Sequence, residues 1–189
     1  MVTRSKPGYD GAVPGGNSVA AFVLLKLGML TAEKSYVEQA ARILRAFSSP
    51  LSASPQSLTG MLSAVDLWLG PTRQIVIVGD VELAPKGQAH AQEMLRFVQS
   101  KYLPRAVLLF RPTGKAWEQT QKQLPFLKSY EARGGKATAY VCGAPLGGSV
   151  QDYVCSEPVH TSEEVQRVLS RRPDARRHVH TRADADVPQ

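Results

Sequence analysis

The chain has 189 residues, 43% of them apolar and 21% charged, which is room for one ordinary domain or pieces of two around a hydrophobic core. Its formal net charge is +7, but the tail from Arg171 holds five arginines against three aspartates and the remaining excess is scattered singly. No stripe of Lys or Arg is interleaved with aromatics, so the charge reads as a basic solvated surface, with no nucleic-acid partner expected. No run approaches the roughly 20 apolar residues of a membrane-spanning helix. The longest stretch, Val19 to Leu30, is broken by Lys26 and Gly28, and no apolar signal segment follows the basic N-terminus. A soluble chain without a membrane partner is expected, and its compartment is left open.

Residues 1 to 16 read as irregular. The turn Asp10-Gly11-Ala12-Val13-Pro14-Gly15-Gly16-Asn17-Ser18 then runs into Val19-Ala20-Ala21-Phe22-Val23-Leu24-Leu25. Asn17 or Ser18 can cap a first helix from about Val19 to Leu30. A helix apolar all round calls for neighbours on every side. Thr31 is expected to cap a second helix, Ala32 to Phe47, with Tyr36, Ala40, Ile43, Leu44 and Phe47 on one stripe. One buried and one amphipathic helix in an antiparallel hairpin suit a layered helical array. Ser54-Pro55 opens a third helix with Leu58, Met61, Leu62, Val65 and Leu69 on one face, stopping at Gly70-Pro71.

From Thr72 the pattern changes. Gln74-Ile75-Val76-Ile77-Val78 is a β-branched run typical of a strand buried on both faces. A helix follows near Ala89 to Tyr102, with Ala91, Met94, Leu95, Val98 and Tyr102 on one side. Ala106 to Phe110 and Ala137 to Val141 read as second and third strands, separated by a weaker helical stretch from Trp117 to Leu127. Ser162 is placed as the cap of a last helix carrying Val165, Val168 and Leu169. Strand and helix in alternation predict a three-stranded parallel sheet with right-handed crossovers. The expected class is α+β: a helical part over residues 1–71, an α/β subdomain over 72–170 and a disordered basic tail over 171–189.

Chemistry is sparse. The strand ending in Gly79-Asp80 resembles the start of a nucleotide-binding unit, but the glycine fingerprint is missing, and Gly79 and Gly87 are too far apart. A structural strand-to-loop turn is the preferred reading. Three readings stay open for Cys142 and Cys155, the only cysteines: buried or free thiols, then a disulfide, then metal ligation with His160, His178 and His180. Their spacing matches no redox dithiol motif. Of the carboxylates Asp10, Glu33, Asp66 and Asp80, none has an identifiable partner across a substrate. Asp10 serves either to fix the glycine-rich turn or to bind a sugar hydroxyl, and Asn17 serves as a helix cap or a ligand contact. None of His90, His160, His178 and His180 has a nucleophile motif to pair with, and no cofactor or metal is expected.

A family resemblance rests on Asp10-Gly11-Ala12, Asn17-Ser18-Val19-Ala20, Gln74-Ile75-Val76-Ile77-Val78-Gly79, Tyr102-Leu103-Pro104, Ala137-Thr138-Ala139-Tyr140-Val141-Cys142 and Cys155-Ser156-Glu157-Pro158-Val159. In order and spacing, over most of residues 9 to 170, the chain resembles the C-terminal region of the spermatogenesis-associated protein 20 family and its bacterial thioredoxin-domain relatives. The resemblance implies an N-terminal thioredoxin-like domain followed by a six-hairpin α/α toroid similar to glycosidases and N-acylglucosamine epimerases. This chain would then be a fragment holding the last toroid helices and the α/β end, without the thioredoxin-like domain. Asp10 and Asn17 would mark the rim of a former cavity. Gly143 to Val154 looks partly like an insertion and the arginine-rich tail extends past the family's usual end, as an alternative transcript or an imperfect gene model would produce. The implied function is a part of a glycosidase-like protein related by fold to carbohydrate metabolism, inert alone. The alternative is a non-enzymatic interaction module that meets a protein partner through exposed apolar helix faces.

Overall fold

The computed structural model describes residues 9–80, 91–144 and 153–171. These fall into two compact units, one through Gly70 and the other from Pro71 onward. His90, His178, His180, Gly87, the glycines at 147 and 148 and nearly all of the expected basic tail lie outside the described residues.

The first unit is helical: α1 (Gly16–Thr31), α2 (Lys34–Ala46), the short α3 (Ser48–Ala53), a 3₁₀ turn at Pro55–Ser57 and α4 (Thr59–Leu69). Helix α1 buries Ser18, Ala21, Leu25, Gly28 and Met29, a stripe at helical spacing, and packs against α2 and α4. Gly28 lets α2 approach: a Cβ there would sit 2.6 Å from Val37 Cγ2. The expectation that α1 is covered on every side is corrected within this unit, because Val19 and Val23 are 47% and 46% exposed. Two cap assignments change as well. Asn17 and Ser18 lie inside the first turn of α1, with Gly15 at its N-cap. Thr31 is the last residue of α1, where its Oγ1 donates to the Leu27 carbonyl and accepts from Glu33 N–H. Helix α4 starts after Ser54-Pro55 has been spent on the 3₁₀ turn, and it buries Met61, Ala64 and Leu67 rather than Leu62 and Leu69.

The second unit is a four-stranded mixed sheet in the order β2-β1-β3-β4, with β1 (Thr72–Val78), β2 (Ala106–Arg111), β3 (Thr138–Ala144) and β4 (Val154–Cys155). Only β1 and β2 are parallel, in the register Ile75 to Leu108 and Val78 to Arg111. The expected three-stranded parallel unit is therefore corrected: β3 runs antiparallel to β1, Thr72 facing Ala144 and Val78 facing Thr138, and β4 adds an edge. The reason lies in the connections. Helix α5 (Ala91–Gln99) and the residues after it return the chain to the starting end of β1, as a parallel crossover requires. The β2–β3 connection holds only α6 (Gly114–Thr120) and a 3₁₀ turn at Pro125–Ser129. Seven helical residues advance about 10 Å, half the length of a six-residue strand. The chain then reverses at Gly134-Gly135, both in the left-handed region, and enters β3 from the far end of β1.

One sheet face carries Ile75, Ile77, Ala139 and Val141 and packs on Ala91, Met94 and Val98 of α5 and on Val165 of α7 (Ser162–Leu169). Helix α5 stops at Gln99, so Tyr102 does not join its buried side and is 91% exposed. Thr161, not Ser162, caps α7. It forms a capping box in which Thr161 Oγ1 accepts from Glu164 N–H and Glu164 Oε2 accepts from Thr161 N–H. The Arg73 guanidinium donates to the carbonyls of Leu169 and Arg171 at the other end of α7, where orphan carbonyls and the helix dipole favour a cation.

Candidate functional site

In the helical unit, polar chemistry converges on Asp10, which is 7% exposed. Its Oδ1 accepts from Gly15 N–H at 2.6 Å, and its Oδ2 accepts from Ser18 Oγ at 3.0 Å and from Met61 N–H at 3.1 Å. Gly60 N–H adds a further bond. Gly15 and Ser18 open α1, while Gly60 and Met61 open α4. One carboxylate thus caps two helices, satisfying orphan N–H groups and meeting two positive dipole ends. Burial alone pushes the Asp10 carboxyl up, but the hydrogen bonds outweigh it and hold the group below its ordinary value. The Asp10 N–H also donates to the Ser57 carbonyl at 2.8 Å, tying the incoming chain to the turn before α4. Gly60 is small because the carboxylate is close: a Cβ would lie 3.0 Å from Oδ1 and 3.1 Å from Oδ2. Asn17 is half-buried in the first turn of α1 and does not meet Asp10 in any of these bonds.

The other sequence candidates are dispersed. Glu33 is exposed at the start of α2, Asp66 is exposed on α4, and Asp80 follows β1 in the second unit. His160 Nδ1 donates to the Ala137 carbonyl at 3.0 Å, which fixes the strap between β4 and α7. Among the described residues, no group of three or more His, Cys, Asp or Glu is placed to hold a metal ion, and no helix is long and apolar enough to cross a membrane.

Cys142 and Cys155 are joined in a disulfide between β3 and β4. Ser156 N–H donates to the Val141 carbonyl, so the neighbouring pair Cys142–Cys155 is a non-hydrogen-bonded one, where facing side chains come closest. Tyr130 lies over this bond, its hydroxyl 3.7 Å from Cys142 Sγ, 3.9 Å from Cys155 Sγ and 3.5 Å from Gln74 Oε1. Its ring packs edge-on against Tyr140 with centroids 5.1 Å apart.

A cluster that sequence reasoning missed sits at the carboxyl ends of β1 and β2. Arg111, last residue of β2, is 9% exposed and its guanidinium lies 4.4 Å from the centre of the Trp117 ring. Thr113 Oγ1 donates to Asp80. The sequence offered one signal, a charged residue in phase with the buried Val107 and Leu109.

No family model matches the chain, and no solved structure matches it. Among curated proteins it is 31% identical over 166 residues to human spermatogenesis-associated protein 20, and 30% identical over 166 residues to the mouse protein. Each match covers 88% of this chain and 19% of the relative. An uncharacterized protein of Caenorhabditis elegans is 26% identical over 162 residues, covering 86% of this chain and 20% of that protein. The chain thus spans about a fifth of the length of the curated relatives it matches, and along that fifth it resembles spermatogenesis-associated protein 20.

Proposed function

We propose that this chain is a non-catalytic, structural portion of a six-hairpin glycosidase-like protein, related by fold to carbohydrate metabolism and inert toward sugars by itself. The observation that carries this reading is the use of Asp10. A carboxylate that acts on a sugar must present an oxygen to the substrate and pair with a second carboxylate across it. Both oxygens of Asp10 are taken by donors of its own chain, and Asp80, Glu33 and Asp66 are not among its partners. Asp10 holds helices together instead. Helices α1 and α2 form the hairpin that a toroid repeats, and relatives about five times as long supply room for the other hairpins. The test is incubation of the purified chain with a panel of glycosides and N-acylhexosamines. No turnover above buffer is expected; turnover that Asp10→Asn abolishes in a still-folded chain would sink the reading.

A second reading is favoured by one observation: Val19 and Val23, one turn apart on α1, are about half exposed. In a longer protein of this kind that stripe is where helices of neighbouring hairpins would lie. In the chain alone it is an apolar face for a helical protein partner.

A further inference from the structure

We propose that Arg111 is the anion-binding residue of a small-ligand site at the carboxyl ends of β1 and β2, taking a carboxylate or phosphate group. Placement comes first. Val78 and Arg111 are paired at the ends of the parallel strands, and Gly79 N–H donates to the Arg111 carbonyl. In open, mostly parallel α/β sheets ligands bind outside the carboxyl ends of the strands, and the β1–β2 pair is the one parallel pair among the described strands.

Charge comes second. A guanidinium stays ionised in a protein, and one that is nine-tenths buried requires a counter-charge. Among the described residues no carboxylate reaches Arg111 at ion-pair distance, and its Nε is sealed from solvent with no hydrogen-bond partner. Asp80, which follows β1, accepts from Thr113. Among the described residues the charge meets an aromatic ring and no carboxylate.

Geometry comes third. The Trp117 ring lies 4.4 Å from the guanidinium carbon and Nε is sealed from solvent, so a ligand would be taken by the Nη1–Nη2 edge. That edge carries parallel N–H groups whose spacing matches the two oxygens of a carboxylate or phosphate. Burial against Trp117 restricts the side chain in advance, so a bound anion loses little to its ordering.

The experiment uses the full chain carrying Trp68→Phe, so that Trp117 is the sole indole. Inorganic phosphate and acetate are titrated separately at ionic strength matched with chloride, with Trp117 fluorescence as the readout. A saturable change with at least one of the two anions is expected, and the tighter one identifies the group the site prefers. Arg111→Lys keeps the charge but loses the fork, and is expected to weaken binding about tenfold, or about 1.4 kcal/mol. Arg111→Gln should abolish it. Near-ultraviolet circular dichroism verifies that each variant is folded, and Arg111→Lys serves alone if the neutral variant is not. A response no larger than that to chloride, or equal affinity in the parent and Arg111→Lys, overturns the proposal.

Discussion

Asp10 stands among residues that suggest a loop, yet it does the work of two helix caps. Replacing it with Ala would leave buried donors at Gly15, Ser18 and Met61 unmet, and a loss of roughly 2–3 kcal/mol in chemical denaturation is expected. Its neighbour Gly60 gives a sharper test. Gly to Ala inside a helix ordinarily stabilises by about 0.5–1 kcal/mol. Here the new methyl meets a carboxylate that is pinned by four donors, so Gly60→Ala should destabilise by about 1–2 kcal/mol instead. In an Asp10→Ala background the obstruction is gone and the same substitution should become neutral or favourable; an unchanged sign would show that the carboxylate is not what the methyl meets. The pH dependence follows from the same contacts. Asp10 and Glu164 both titrate below their ordinary values of 3.8 and 4.5 in the folded chain, Glu164 through the His160 and Thr161 N–H groups that outweigh its burial. The unfolded chain therefore binds protons first. The stability they contribute is complete above the ordinary carboxylate range and is lost as pH falls through it and past the folded values. Thermal melts from neutral pH downward should show that loss, and Asp10→Asn should flatten it. None of this was legible in the sequence beyond the choice between a turn fastener and a ligand contact, because Met61 lies 51 residues from Asp10.

At the scale of elements, what the sequence reveals depends on how many residues carry the signal. Strands β1, β2 and β3 were legible because each holds four or five apolar residues in a row, Ile75 to Val78 all β-branched, and such runs fit little else. The direction of β3 was not. It depends on whether the preceding connection is long enough to cross the sheet, and periodicity says nothing of that. Strand β4, two residues long, is below any propensity signal and exists through its pairing with β3. Its disulfide should matter accordingly. The bridge joins residues 13 apart in sequence, and in a chain-entropy account closing such a loop contributes about 2–3 kcal/mol. Reductant, or Cys142→Ala with Cys155→Ala, should lower the unfolding free energy of the α/β unit by that much, read as an earlier denaturation midpoint. Equal midpoints in oxidised and reduced protein would mean that β4 is held by its backbone pairing and by Tyr130 alone.

The whole chain holds a helical unit and an α/β unit, and among the described residues the exposed large apolar side chains are unevenly distributed between them. Val19 and Val23 on α1, with Leu62 and Leu69 on α4, are large apolar side chains at 38–49% exposure in a unit of about seventy residues. A unit that small buries a modest fraction of its surface and gains little from apolar groups left in water. The relatives, about five times longer, have the chain length with which to cover such faces. The isolated chain must leave them wet or pair them with a copy of themselves. Each valine placed in contact would remove apolar area at about 25 cal/mol per Å², so association at high protein concentration is expected. Sedimentation velocity over a range of concentrations reads it directly. Val19→Ser together with Val23→Ser should shift the chain toward monomer and leave its melting temperature nearly unchanged, because neither side chain belongs to the buried stripe of α1. A chain that is monomeric at every concentration, or a serine variant that melts several degrees lower, would remove the support this face gives to both the toroid and the interaction reading.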